Sequence, residues 1–257
     1  MIWRSGWVEK GEEIMDIEMY YEEYGNPENK PMIFLHGCRG DHTFYHNQID
    51  SLKDRYHIYA LDLRGHGKTP RGTAPFTLDT LVEDLHDFMV EQGIDQATLC
   101  GFADGANVVL LFALKYTGMV RAMILNSANY NPRGMKKRHY VAYCIRFLYE
   151  AVRAIFSKKA RFIMRTIHVT LHEPHLDPLR LRYFKMPILV IAGTCDTIRE
   201  QHTRRMSAHM PTAVIRVIPG FHRVAKRNIE LFNRILDNFM TQLVENPDGN
   251  KNRYLFY

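Results

Sequence analysis

The chain has 257 residues, a net charge of +6 and an apolar content of 46%. That length suits one large domain or a domain with an insertion, and the apolar content excludes a disordered chain. No apolar run approaches the ~18–20 residues of a membrane span. Glu9, Glu12 and Glu13 follow the first residues at once, unlike a secretory signal. The charge is too moderate to point to nucleic acid. The four cysteines, at 38, 100, 144 and 195, have neither scaffold nor metal spacing, which predicts reduced thiols and a cytoplasmic location.

Residues 14 to 24 alternate in part, as a half-exposed strand does, and Gly25-Asn26-Pro27 ends them. Pro31-Met32-Ile33-Phe34-Leu35 is a short apolar run, the pattern of a strand buried on both faces of a parallel sheet. It stops at His36-Gly37-Cys38-Arg39-Gly40-Asp41, and a helix follows to about Leu52. His57 to Leu63 makes a second buried strand, ending in Arg64-Gly65-His66-Gly67-Lys68-Thr69. Thr77 caps a helix to about Gln92, whose apolar residues Leu78, Leu81, Val82, Leu85, Phe88 and Met89 recur at threes and fours, and Gly93 closes it.

Gln96 to Cys100 then has strand character and Val108 to Tyr116 helix character. Between them lies Gly101-Phe102-Ala103-Asp104-Gly105. A strand, a tight turn flanked by glycines and a helix are the setting of the Gly-x-Ser-x-Gly nucleophile elbow. The centre of this turn is Ala103, so the frame lacks the attacking oxygen. A register one residue later would make Asp104 the nucleophile but would put bulky Phe102 where a small residue is needed. Further strands are predicted at Val120–Ser127, Pro187–Gly193 and Ala213–Gly220, with helices from about Ile198 and from about Val224 to Val244. The tail from Glu245 reads as loose, with docking of Tyr254 to Tyr257 as the alternative. Strands alternating with helices imply a parallel sheet covered on both faces, with the chemistry beyond the carboxyl ends of the strands.

Five motifs at strand ends, in order, give the chain its resemblance to the α/β-hydrolase fold family. They are His36-Gly37, Asp62-Leu63-Arg64-Gly65-His66-Gly67-Lys68-Thr69, Gly101-Phe102-Ala103-Asp104-Gly105, Gly193-Thr194-Cys195-Asp196 and Pro219-Gly220-Phe221-His222. In the family's count they follow the third, fourth, fifth, seventh and eighth strands. The resemblance implies a mostly parallel twisted sheet with helices on both faces and a helical cap inserted after the sixth strand. The core would be residues 1–128 and 187–257, and the cap 129–186. It also implies that Ala103 holds the nucleophile position, Asp196 the acid and His222 the base. The backbone amides of Cys38 and Asp104 would form the oxyanion hole, with Phe102 and Phe221 beside the pocket and no cofactor. A serine hydroxyl attacks only when a histidine takes its proton and a carboxylate orients that histidine.

The implied activity is that of a cofactor-free serine hydrolase for carboxylic esters or similar small acyl substrates, inactive or nearly so with Ala103 in place. The alternatives are a receptor-like homologue that binds without turnover and a redesigned pocket using Cys38. Departures at Cys38, Ala103, Phe221, Arg227 and Ile229 fit a degenerate homologue, a deliberate serine-to-alanine knockout or an engineered scaffold. The cysteine reading needs a deprotonated thiol.

The insertion is basic. Residues 133–185 hold thirteen Lys or Arg against Glu150, Glu173 and Asp177. Val141 to Ser157 is apolar almost all round, with a narrow polar stripe of Arg146, Glu150, Arg153 and Ser157. Three readings follow: a helix buried on the core with solvated charges around it, attraction of an anionic ligand, and contact with an anionic membrane surface. His168, His172 and His175 fall short of a closed metal site, because Pro174 interrupts the turn and a fourth ligand is missing.

Overall fold

A computed structural model describes residues 16–245. Its strands are β1 (Tyr21–Tyr24), β2 (Pro31–Leu35), β3 (His57–Leu61), β4 (Ala97–Phe102), β5 (Val120–Asn126), β6 (Ile188–Cys195) and β7 (Ala213–Phe221). They form one sheet in the order β1-β3-β2-β4-β5-β6-β7. Only β1 runs antiparallel, at the edge, and the other neighbours pair in parallel. This is the α/β-hydrolase fold that the motifs imply.

The local signals explain these elements. β2, β3 and β4 are apolar because helices cover both faces of the sheet. The helices are α1 (His46–Leu52), α2 (Leu78–Glu91), α3 (Asp104–Lys115), α4 (Lys137–Arg153), α5 (Lys158–His172), α6 (Glu200–Ala208), α7 (Val224–Arg227) and α8 (Ile229–Phe239). On one face Leu85, Phe88, Val109 and Phe112 pack around Leu99 and Met123. On the other, Phe44, Tyr45, Phe232 and Leu236 pack around Phe34 and Ile124. Thr77 caps α2 by accepting from the Thr80 N–H at 3.1 Å, and Gly93 ends it with φ of 65°.

Three expectations change. The strand expected from residue 14 is confined to Tyr21–Tyr24; Ile17 and Met19 are buried but join no ladder. Ile14, Met15 and the tail from Asn246 lie outside the described residues. The last helix breaks at Asn228, which leaves helical geometry while its Nδ2 donates to the Pro219 carbonyl at 3.1 Å. The insertion follows β5, the fifth strand among the described residues rather than the sixth, since β2 stands where the family's count places a third strand.

The facing of α4 is the largest correction. One of the three readings of the insertion expects a helix buried on the core through its apolar surface. Instead Glu150 is its one buried residue, while Val141, Ile145, Leu148, Tyr149 and Val152 are exposed. Arg146 and Arg153 close over the Glu150 carboxylate at 2.6 and 3.1 Å. The inward side of α4 carries half-buried Tyr143, Cys144, Phe147 and Ala151 around Glu150, while Arg146 and Arg153 of the polar stripe stay exposed. α5 lies beneath, turning Ala160, Ile167 and Val169 inward.

Candidate functional site

The elbow is built by its neighbours. Ala103 sits between β4 and α3 with φ of 49° and ψ of −113°, a region that L-residues rarely occupy. Its N–H donates to the Asn126 carbonyl at 2.9 Å, and its carbonyl accepts from Asn107 at 3.0 Å. A Cβ at Gly101 would lie 2.4 Å from the Gly105 oxygen, and one at Gly105 would lie 2.4 Å from the His36 oxygen. Only glycine fits at either flank. The turn's odd backbone is centred on residue 103, whereas Asp104 already belongs to α3.

Among the described residues, the other non-glycine residues with positive φ are Arg39 and Ser127, each at 59°. They follow β2 and β5, the two neighbours of β4 in the sheet. The strained backbone thus gathers at the carboxyl ends of three adjacent strands, the pattern of functional sites.

Asp196 follows β6 and His222 follows β7. His222 Nδ1 lies 2.7 Å from Asp196 Oδ1. The carboxylate is also held by the Ser127 hydroxyl at 2.6 Å and by the backbone N–H groups of Ile198 at 3.1 Å and Gly193 at 3.3 Å. Burial works to raise the Asp196 carboxyl, but the His222 hydrogen bond and these donors outweigh it and hold it below the usual range. Thr197 Oγ1 lies 3.1 Å from the same imidazole nitrogen. The His222 ring leans on Phe102, with ring centroids 4.8 Å apart.

Asp104 and Cys38 lie together beside α5. The Asp104 carboxylate accepts from Thr170 of α5 at 3.2 Å. Burial nevertheless pushes this carboxyl up. Burial, reinforced by Asp104, also pushes the Cys38 thiol up to about 11 and the Tyr143 phenol of α4 to about 12. A thiol that resists ionisation is a poor nucleophile at neutral pH.

The remaining expected residues are spread more widely. Phe102 is buried and stacks on Phe44 at 4.3 Å between centroids, forming the floor beneath His222. Phe221, expected beside the pocket, is 70% exposed. Strand alternation sends it the opposite way from its neighbour. Arg227 is exposed on α7. These positions count against a pocket rebuilt at every departure. His168 and His172 stack with centroids 4.2 Å apart, and His175 approaches Asn131 at 3.3 Å. A cleft of about 550 Å³ opens beside the start of α4 and the end of α5, lined by Arg133, Lys137, Tyr140, His172, His175 and Arg199 among others.

Ser127, Thr170, Thr197 and Tyr143 carry polar contacts that sequence reasoning missed. For Ser127 a signal existed: it ends a buried strand beside the elbow strand, where this architecture places its chemistry.

Known proteins agree with this geometry. Residues 30–139 match the family model described as alpha/beta hydrolase fold. The chain is 31% identical to ethanol acetyltransferase 1 of Cyberlindnera jadinii, over 41% of this chain and 32% of that protein. It therefore spans about a third of the length of this curated relative. RutD of Caulobacter sp. (strain K31), which carries a carbamate-hydrolase name, is 25% identical across 87% of this chain and 96% of its own. The solved enol-lactonase of Burkholderia xenovorans LB400 superposes with a TM-score of 0.73 at 16% identity, covering 88% of this chain and 97% of that one. With the strand order and the elbow backbone, these likenesses show that the chain has the α/β-hydrolase fold.

Proposed function

We propose that this chain binds a small carboxylic ester or similar acyl ligand at a serine-hydrolase site whose nucleophile is missing, and holds it without turnover. One observation carries the reading: the Asp196–His222 pair stands at 2.7 Å beside an elbow that keeps its strained backbone around Ala103. An acid-oriented histidine serves to take a proton from a neighbouring hydroxyl. Here that hydroxyl is absent. The acetyltransferase and carbamate-hydrolase names of the relatives support an acyl carbonyl as the group recognised.

In this proposal residues 129–186 act as a cap over a core of residues 1–128 and 187–257. No cofactor and no nucleic acid take part. The basic surplus of the cap favours a ligand that carries negative charge. The four cysteines, none of them in a disulfide, suit a cytoplasmic setting. Ala103→Ser is the test. The variant should hydrolyse a small aryl ester and take up a fluorophosphonate probe, and the parent chain should do neither. Ester turnover by the parent that is lost in His222→Ala would defeat the reading, whereas turnover that survives His222→Ala would point to a contaminant or an unrelated site.

A further inference from the structure

We infer that the outer face of α4 is a docking surface for a lipid bilayer rich in anionic headgroups. The helix leaves a whole apolar stripe facing water. Val141, Ile145, Leu148, Tyr149 and Val152 recur at helical spacing on its exposed side, and Ile155 and Phe156 extend the stripe through the turn into α5. Phe156 is 91% exposed. Large contiguous apolar faces on a folded surface mark interaction sites. The only carboxylate of α4, Glu150, is buried beneath the helix and held by Arg146 and Arg153.

The charge around the stripe selects the occupant. From Arg133 to His172 the sequence carries ten Lys or Arg and one carboxylate, Glu150. Lys137 and Arg138 are exposed at the start of α4, Arg146 and Arg153 along its flank, and Lys158, Lys159 and Arg161 at the start of α5. An apolar helical face edged by exposed cations, with aromatic rings along it, is the form that lies in a headgroup layer. Tyr149 sits between the guanidinium groups of Arg146 and Arg153, each 5.4 Å from its ring centre. A second copy of the chain would be a poor occupant: a two-fold pairing through this face would set one basic rim against another. Anionic lipid headgroups neutralise that rim while the acyl boundary receives the apolar stripe. Among the described residues no helix is long and apolar enough to cross a membrane, so the contact is peripheral.

The test is sedimentation of the full chain with phosphatidylcholine vesicles, and with the same vesicles containing phosphatidylglycerol. Two variants accompany it, Leu148→Ser with Phe156→Ser, and Lys158→Glu with Lys159→Glu. All four positions are exposed, so circular dichroism and the thermal midpoint should be unchanged. The parent should bind the phosphatidylglycerol vesicles at least about tenfold more tightly than the phosphatidylcholine ones, and this preference should shrink as salt rises. Each variant should lose about tenfold or more. No binding to anionic vesicles at low salt overturns the inference, as does binding that both variants retain. A concentration-dependent dimer in sedimentation velocity that Leu148→Ser with Phe156→Ser abolishes, without vesicle binding, assigns the face to a second copy instead. None of these readouts depends on ester binding, so they stand or fall apart from the function proposed above.

Discussion

Ser127 Oγ donates to Asp196 Oδ2 at 2.6 Å, leaving Oδ1 of the same carboxylate to His222. The hydroxyl steadies the acid from behind while the imidazole reads its front. Removing it leaves a buried anionic oxygen short of a donor, which costs on the order of 1–3 kcal/mol. Ser127→Ala should lower the urea midpoint accordingly. An unchanged midpoint would mean that the Gly193 N–H at 3.3 Å suffices alone.

Restoring the nucleophile should restore chemistry. Loss of the serine costs serine hydrolases on the order of 10⁶ in turnover. Ala103→Ser adds one oxygen at a turn already in elbow geometry, so several orders of magnitude should return on a small ester. A folded variant with no measurable ester turnover would show that more than the hydroxyl is missing.

The same position predicts a stability change of opposite purpose. Alanine at φ of 49° is strained, and glycine has no Cβ to object. Ala103→Gly should therefore raise the unfolding free energy by up to about 1 kcal/mol. Chemical denaturation decides; a lowered midpoint would show that the methyl's packing outweighs the strain.

The thiols should separate by burial and acidity. Cys195 is exposed and should react with iodoacetamide first. Cys38, pushed up to about 11, holds roughly one thiolate in a thousand at pH 8. Its labelling should still be climbing above pH 9, and that of buried Cys100 should await unfolding. Rapid labelling of Cys38 near neutrality, found by mass spectrometry, would revive it as a nucleophile.

Mild acid should destabilise the fold through His36. Burial, and after it the neighbouring His66, lower this imidazole from 6.5 to about 4, and the ring accepts from the Leu63 N–H at 3.0 Å. Between those values the unfolded chain binds the extra proton and the folded chain does not. Stability must therefore fall as pH drops through that window, by about 3 kcal/mol for this group alone. His202, also lowered to about 4 by burial, adds a fall of the same sign. Denaturation midpoints between pH 4 and 7 measure the slope, and His36→Gln should flatten it.

The parts that could be read from sequence were those governed by short-range rules. Apolar runs, the Thr77 cap, the Gly93 stop and the glycines around Ala103 each encode their own geometry. The facing of α4 could not be read that way. Periodicity divides a helix into two sides but does not say which side meets the protein; the buried Glu150 pair decided it, through contacts made in three dimensions. Phe221 misled for a related reason. Its neighbour His222 belongs to the site, and adjacent residues in extended chain point apart. Ser127 is one small polar residue after a strand, and only the fold brings Asp196 to it.

The sheet itself asks little of the chain that runs from β5 to β6. These strands are parallel neighbours, with Asn126 opposite Ile191, and a crossover between such strands can be made with about a dozen residues. Residues 127–187 make it here. Most of that excursion is surplus to closing the sheet, and loop closure grows only slowly more costly with length. The segment is therefore free to be lengthened, pruned or exchanged without rewriting the scaffold below it. Specialisation can accumulate in the detour while the strands, and the strained corners at their ends, stay as they are.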